Sequence, residues 1–395
     1  MTRTLHVTLS FAILATFGCA SIPKRNPLPK NLSGDVKPMG IDTEGVRRWG
    51  DTSWRGALQD WESASDETLR KNFSAIYEKP HTYLVISGGG ANGAFSAGLL
   101  AGWTRSGERP EFSMVTGIST GALIAPFAFL GSDYDELLKK NYTTLHTKDI
   151  FKKRKILKRD AAASSKPLQE QIAASFDQAV MEAVAAEFRR GRQLWIGTTD
   201  LDAGRPVIWN IGRIANSGHR NSLSLIHAIT LASASIPGAF PPVLLEVEAG
   251  GETYDELHVD GGVTSQVFLY PAGLDWDRVL EKLHVPGRPR IYVLRNSKLS
   301  PTWKTTKNSI FALTGRSVGS LIRTQGIGDL NRIYLESKRD DLEFNLASIP
   351  ADFEHEKDEP FDPKYMSALY DLAYELAQQG YPWLKEPPEL TGTED

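Results

Sequence analysis

Two short apolar runs that end in glycine and open into helical stretches constrain this chain more than any other feature. Tyr83-Leu84-Val85-Ile86 leads into Gly88-Gly89-Gly90-Ala91-Asn92-Gly93, and Phe112 to Thr116 leads into Gly117-Ile118-Ser119-Thr120-Gly121. Short apolar runs bounded by turn residues read as buried strands. A helix is expected from Asn92 to about Arg105, where Ala94, Gly98 and Gly102 recur every fourth residue and allow close approach to a sheet. A second is expected from Ala122 to Leu130. Strands alternating with helices imply a mostly parallel sheet covered on both faces, an α/β fold. Further strands are expected at Leu194 to Thr198, Val207 to Ile211, Leu257 to Val259 and Ile291 to Arg295. Covering helices are expected near Leu168 to Phe188, Ser309 to Glu336 and Pro363 to Gln378.

In an open α/β sheet, ligands bind beyond the carboxyl ends of the strands. Three glycine-marked sites fall there. The loop Gly88 to Gly93 can bring backbone N–H groups close to an anion at a helix start. Gly88, Gly90 and Gly93 also fit G-x-G-x-x-G, with Glu108 or Glu111 at roughly the spacing of a ribose-binding acid, so a dinucleotide site competes. Gly117 to Gly121 is G-x-S-x-G between strand and helix, the context of a nucleophile elbow that lifts Ser119 above the sheet. Asp260-Gly261-Gly262 closes the strand Leu257 to Val259; alone it is better explained by a turn.

Together with Ala232-Ser233-Ala234-Ser235-Ile236-Pro237-Gly238-Ala239-Phe240-Pro241-Pro242, these blocks resemble, in order, the motifs of the patatin-like phospholipases. The resemblance spans Tyr83 to about Phe268. It implies a three-layer α/β/α core with a mostly parallel central sheet, plus N- and C-terminal helical extensions. It also implies Ser119 as nucleophile, Asp260 as its partner, and the amides of Gly88, Gly89 and Gly90 as an oxyanion hole. The family's pattern often has Arg or Lys where Asn92 stands, which leaves the backbone N–H groups to stabilise the oxyanion. The implied activity is hydrolysis of phospholipid or related lipid esters, with no metal and no cofactor. A serine hydroxyl needs a base, and a free Asp, with a pKa of about 3.9, is far from an ideal one at neutral pH. A Ser-His-Asp arrangement is therefore an alternative. His258 would share a strand face with Asp260, and His284 and His355 follow the acid in the chain. A non-catalytic lipid-binding or assembly module of the outer membrane is another.

The N-terminus carries an address. After Arg3, the 14 residues Leu5 to Gly18 include no Lys, Arg, Asp or Glu, too few to span a bilayer and suited to a signal sequence. Thr16-Phe17-Gly18-Cys19 resembles a lipobox, and Cys19 is the only cysteine, which excludes an intrachain disulfide or a multi-cysteine metal cluster. The expectation is a lipid-anchored envelope protein, exported and held at the outer membrane facing the periplasm. From Lys148 to Arg159, seven of twelve residues are basic; the run reads either as a solvated face or as a lid attracted to anionic lipid. A net charge of −3 argues against nucleic acid. The expected division is a signal peptide at 1–18, a tether at 19–40 and a helical N-terminal extension at 41–80, with core anchors at Trp49, Trp54 and Trp61. A catalytic domain at 81–300 and a mainly helical C-terminal extension at 301–395 complete it.

Overall fold

The computed structural model describes residues 25–52, 63–153, 163–270, 276–301, 303 and 305–388. Its strands are β1 (Lys37–Pro38), β2 (Arg47–Trp49), β3 (Thr82–Ile86), β4 (Met114–Ile118), β5 (Lys152–Lys153), β6 (Ala163–Ser164), β7 (Gln193–Asp200), β8 (Arg205–Asn210), β9 (Val243–Ala249), β10 (Glu252–Asp260), β11 (Arg290–Arg295) and β12 (Glu343–Ser348). The described helices are α1 (Asp66–Asn72), α2 (Gly93–Ser106), α3 (Thr120–Leu130), α4 (Asp135–Thr143), α5 (Thr147–Ile150), α6 (Lys166–Ser175), α7 (Gln178–Arg189), α8 (Ile211–Ala215), α9 (Ser222–Ser233), α10 (Trp276–Lys282), α11 (Ile310–Arg339) and α12 (Pro363–Gln378).

One sheet runs in the order β1-β9-β10-β7-β4-β3-β11-β12, with β8 also on β7 and β2 on β8. Strands β7, β4, β3, β11 and β12 are mutually parallel, while β8, β9 and β10 are antiparallel additions. Period-2 alternation sorts the central side chains to two faces. Leu84, Ile86, Val115, Leu194, Ile196 and Leu294 pack with α2, α3, α9 and α12 on one side. Tyr83, Val85, Met114, Ile118, Ile291 and Val293 pack with α1, α10 and the second half of α11 on the other. This is an α/β/α architecture, with β3 and β4 buried along their whole length as double coverage requires.

Gly98 and Gly102 of α2 lie against α12, not the sheet: a Cβ would stand 2.1 Å from the Tyr370 carbonyl oxygen and 2.2 Å from that of Tyr374. The expected helix over Leu168 to Phe188 is two, α6 and α7. Asp177 interrupts it by turning its carboxylate back to accept the Val180 N–H at 3.0 Å, an N-cap. Strand β12 was hidden by its shortness and the lack of β-branched residues in Glu343–Ser348, so the C-terminal region contributes a sheet strand as well as helices. Residues 25–40 do not hang free. Pro27 bridges to Asp255, β1 pairs with β9, and Arg25 forms a salt bridge with Asp202. In 41–80 the described helix is short, and β2 instead extends the sheet, with Trp49 beneath the Arg205 guanidinium at 4.3 Å. Trp54, Trp61 and Cys19 lie outside the described residues.

Candidate active site

The edge of β7 brings two distant segments together. Along one edge, β4 runs parallel to β7 and its last pair is Ile118 with Gly197. Along the same edge from the opposite direction, β10 ends with Asp260 against Thr198. Gly197 and Thr198 are consecutive, so the two strands finish nose to nose, and the next residue of β4 has no room in the sheet. That residue is Ser119. It leaves the plane with φ 56° and ψ −124°, left-handed strain for a non-glycine residue, and starts α3 directly afterwards. The flanking glycines are steric necessities: a Cβ on Gly117 would stand 2.3 Å from the Gly121 carbonyl oxygen, and one on Gly121 2.2 Å from that of Ile86.

Ser119 is held from behind by a relay. Its N–H donates to Ser233 Oγ at 3.0 Å, and that hydroxyl donates to the Gly197 carbonyl at 2.7 Å. The Asp260 N–H donates to the Ser235 carbonyl at 3.0 Å. The segment from Ala232 to Ser235 thus pins both converging residues, and Ile236 and Phe240 line the cavity in front of them. Asp260 Oδ1 accepts the Gly262 N–H at 2.7 Å, which fixes the carboxyl plane. Its Oδ2 is buried and makes no hydrogen bond among the described residues. Burial pushes the Asp260 pKa up to about 7; the Ser119 hydroxyl and the Gly262 N–H oppose this with smaller effect. The expectation of a poor base with an ordinary Asp pKa is corrected here, because desolvation moves the carboxyl into the neutral range.

The Gly-rich loop lies against the serine. A Cβ on Gly88 would stand 3.1 Å from Ser119 Cβ, and one on Gly89 2.6 Å from the Asn296 carbonyl oxygen. Among the described residues, the N–H groups of Gly88, Gly89 and Gly90 donate no hydrogen bond. Asn296, which the sequence analysis missed, locks this loop. Its Nδ2 donates to the Ser87 carbonyl at 2.9 Å, and its Oδ1 accepts from the Ser96 hydroxyl at 2.7 Å. Nothing in a lone Asn after a strand signalled this. Asn92 is half-buried: its Nδ2 donates to the Asn296 carbonyl at 3.2 Å, and its Oδ1 accepts from Lys357 and Tyr365.

In front of Ser119 opens an apolar cavity walled by Leu123, Pro126, Phe127, Leu168, Ile172 and Phe176. At its rim, Phe151 meets Phe240 and Phe361 edge-on, with ring centroids 5.5 and 6.3 Å apart. Of the basic run, Lys148 lies in α5 and Lys152 and Lys153 form β5; Arg154 to Arg159 lie outside the described residues.

The competing arrangements do not assemble among the described residues. His258 is fully buried, with Nδ1 3.0 Å from Thr198 Oγ1 and Nε2 3.2 Å from Glu256, so neither nitrogen is turned to Asp260. His284 sits at the surface near Asp66, and His355 stacks on Phe353. Asp200, Glu256 and His258 lie close enough to share a cation, but Arg47 already pairs with Glu256 and the Asp202 and Ala203 N–H groups bind Asp200. The dinucleotide reading fails on topology. Glu108 and Glu111 precede β4, at the opposite edge of the sheet from Gly88 to Gly90.

Residues 84–272 match the patatin family, described as patatin-like phospholipase. No curated protein matches the chain in sequence. Among solved structures, the crystal structure of VipD from Legionella pneumophila aligns with 12% identity over 76% of this chain, at a TM-score of 0.38. This chain spans 66% of that one's length, just under two thirds, and the likeness is too distant to carry an argument about the site. Among the described residues, no helix is long and apolar enough to cross a membrane.

Proposed function

From the match of residues 84–272 to the patatin-like phospholipase family, we propose that this chain hydrolyses phospholipid or related lipid esters through a Ser119–Asp260 dyad. The observation that carries the reading is the free, buried Oδ2 of Asp260 beside a serine strained out of its strand. In the first half-reaction, Ser119 Oγ attacks the ester carbonyl carbon while its proton passes to Asp260 Oδ2. A carboxyl with a pKa near 7 suits this transfer, because it is largely ionised at mildly basic pH yet holds a proton well. The carbonyl oxygen becomes an oxyanion within reach of the unpaired Gly88, Gly89 and Gly90 amides. Such donors cost no reorganisation when charge develops. Collapse expels the alcohol, which takes the proton from Asp260, and leaves an acyl group on Ser119. Water then attacks with Asp260 as base, releasing the fatty acid and restoring the serine.

The apolar cavity supports a long acyl chain as the bound part of the substrate, since its walls offer burial and almost no hydrogen bonds. Export, acylation at Cys19 and outer-membrane anchoring belong to the same proposal and rest on the N-terminal sequence. The test is hydrolysis of a soluble ester and of a phospholipid by the purified chain and its Ser119→Ala variant. Both activities should vanish in the variant with folding retained; turnover like that of the unsubstituted chain would overturn the assignment.

A further inference from the structure

Residues 301–328 contain no Asp or Glu and four cations, Lys304, Lys307, Arg316 and Arg323, in a chain of net charge −3. Helix α11 begins inside this stretch and changes character along its length. In its second half, Ile327, Leu330 and Ile333 are buried in the core. In its first half, Leu313 is 48% exposed, Leu321 69% and Ile322 39%, and Trp303 just before the helix is 97% exposed. Leu335 in the second half is also 64% exposed, but that half is anchored in the core, whereas Leu313, Leu321 and Ile322 cluster on the first half with no core contact among the described residues, and such a patch calls for a second apolar partner.

Topology places that half. Strand β11 ends at Arg295, on the edge of the sheet where Ser119 and Asp260 lie, and the parallel β12 begins at Glu343 on the far edge. Helix α11 connects them and descends from the site edge. Midway, Asp329 accepts the Gln266 N–H at 2.6 Å and the Ser265 hydroxyl at 3.2 Å, just after the Asp260–Gly262 turn. The helix passes the site there. At 1.5 Å per residue, the turns from Ile310 to Asp329 extend roughly 28 Å beyond it. At their base the charge is positive. Buried Arg295 has its pKa lowered to about 10, first by burial and then by repulsion from Arg323, with Asp329 opposing.

We propose that the segment from Trp303 to about Thr324 lies on an anionic lipid surface and presents the edge of the sheet bearing Ser119 to it. The choice of lipid rests on the lipid-ester reading above and on charge, because an interfacial helix combines Trp and aliphatic residues with Lys and Arg. Arginine stems can lie along the apolar layer while their heads meet phosphate.

The test is cosedimentation of the full chain carrying Cys19→Ser, so that no acyl anchor contributes, with phosphatidylglycerol or phosphatidylcholine vesicles. The chain should bind the anionic vesicles more tightly, and the preference should weaken with salt. Each lost charge should lower partitioning about fivefold, so K304Q/K307Q/R316Q should bind about a hundredfold more weakly. Leu321→Glu should weaken binding to both vesicles. Hydrolysis of a soluble ester should be unchanged in every variant, which separates this proposal from the catalytic one. Equal binding by all variants would overturn the docking surface, while soluble-ester activity would still support the dyad. A dimer in solution that Leu321→Glu dissolves, without vesicle binding, would instead assign the surface to a second copy.

Discussion

Replacing Asp260 with Asn should remove activity and yet stabilise the fold, by an amount that depends on pH. Asp260 has its pKa raised from 3.8 to about 7 by burial. Folding therefore favours the protonated form, and ionising the folded chain costs stability. The cost is absent below about pH 4, where the group is protonated in both states. It grows between pH 4 and 7, and is constant above. A shift of about three units at about 1.4 kcal/mol each gives about 4 kcal/mol at pH 8. Asn cannot ionise and so escapes this cost. Its carbonyl oxygen can keep the Gly262 N–H bond that Asp260 Oδ1 accepts, while its amide can donate to the Ser119 hydroxyl. With an unfolding entropy of roughly 2.1 cal/mol/K per residue, about 4 kcal/mol raises the Tm of a chain this size by about 5 °C. Thermal unfolding of both proteins at pH 5 and pH 8 measures it. The gain should be about 1.7 kcal/mol, roughly 40% of its full size, at pH 5 and reach its full size by pH 8, with ester hydrolysis lost throughout. An Asn variant less stable at pH 8, or offset equally at both values, would refute the claim that Asp260 is held ionised against its surroundings.

Two further expectations rest on steric contacts. Gly121→Ala should cost about 3 kcal/mol or prevent folding, because its Cβ would meet the Ile86 carbonyl oxygen at 2.2 Å and backbone cannot yield as a side chain can; chemical denaturation reads the loss. Leu123→Trp should fill the apolar cavity and lower kcat/KM for long acyl chains about tenfold, while a short-chain ester is nearly unaffected; a chain-length series of esters checks it.

The parts of the site that are local in sequence were legible. Gly117 to Gly121 announces an elbow because only small residues permit that turn, and Asp260 was marked by its glycines. Their meeting was not legible, since it depends on β4 and β10 ending on consecutive residues of β7. No local pattern encodes that register. The raised pKa of Asp260 was missed for the same reason: burial comes from tertiary packing, and the unperturbed value was all the residue type could offer. Asn296 and Ser233 act through a few long-range hydrogen bonds, to Ser87 and Ser96 and to Ser119 and Gly197, which leave no periodicity to detect. In the fold, β12 escaped because it is short, has no β-branched residue, and carries only Phe344 and Leu346 as large apolar residues. Residues 25–40 looked like a linker in composition but pair with β9 and β10 through backbone groups. Backbone pairing of that kind is indifferent to side-chain hydrophobicity.

The central claim, that Ser119 is the nucleophile and Asp260 its base, is tested most directly by covalent trapping. The chain is treated with an alkyl fluorophosphonate across pH 5 to 9 and the adduct located by mass spectrometry. The account predicts one adduct, on Ser119, with a labelling rate that rises through about pH 7 and falls sharply in Asp260→Asn but not in His258→Ala, since the His258 nitrogens are engaged by Thr198 and Glu256. An adduct on another residue, or Ser119 labelling at a rate unchanged by the loss of the Asp260 carboxylate, would contradict it.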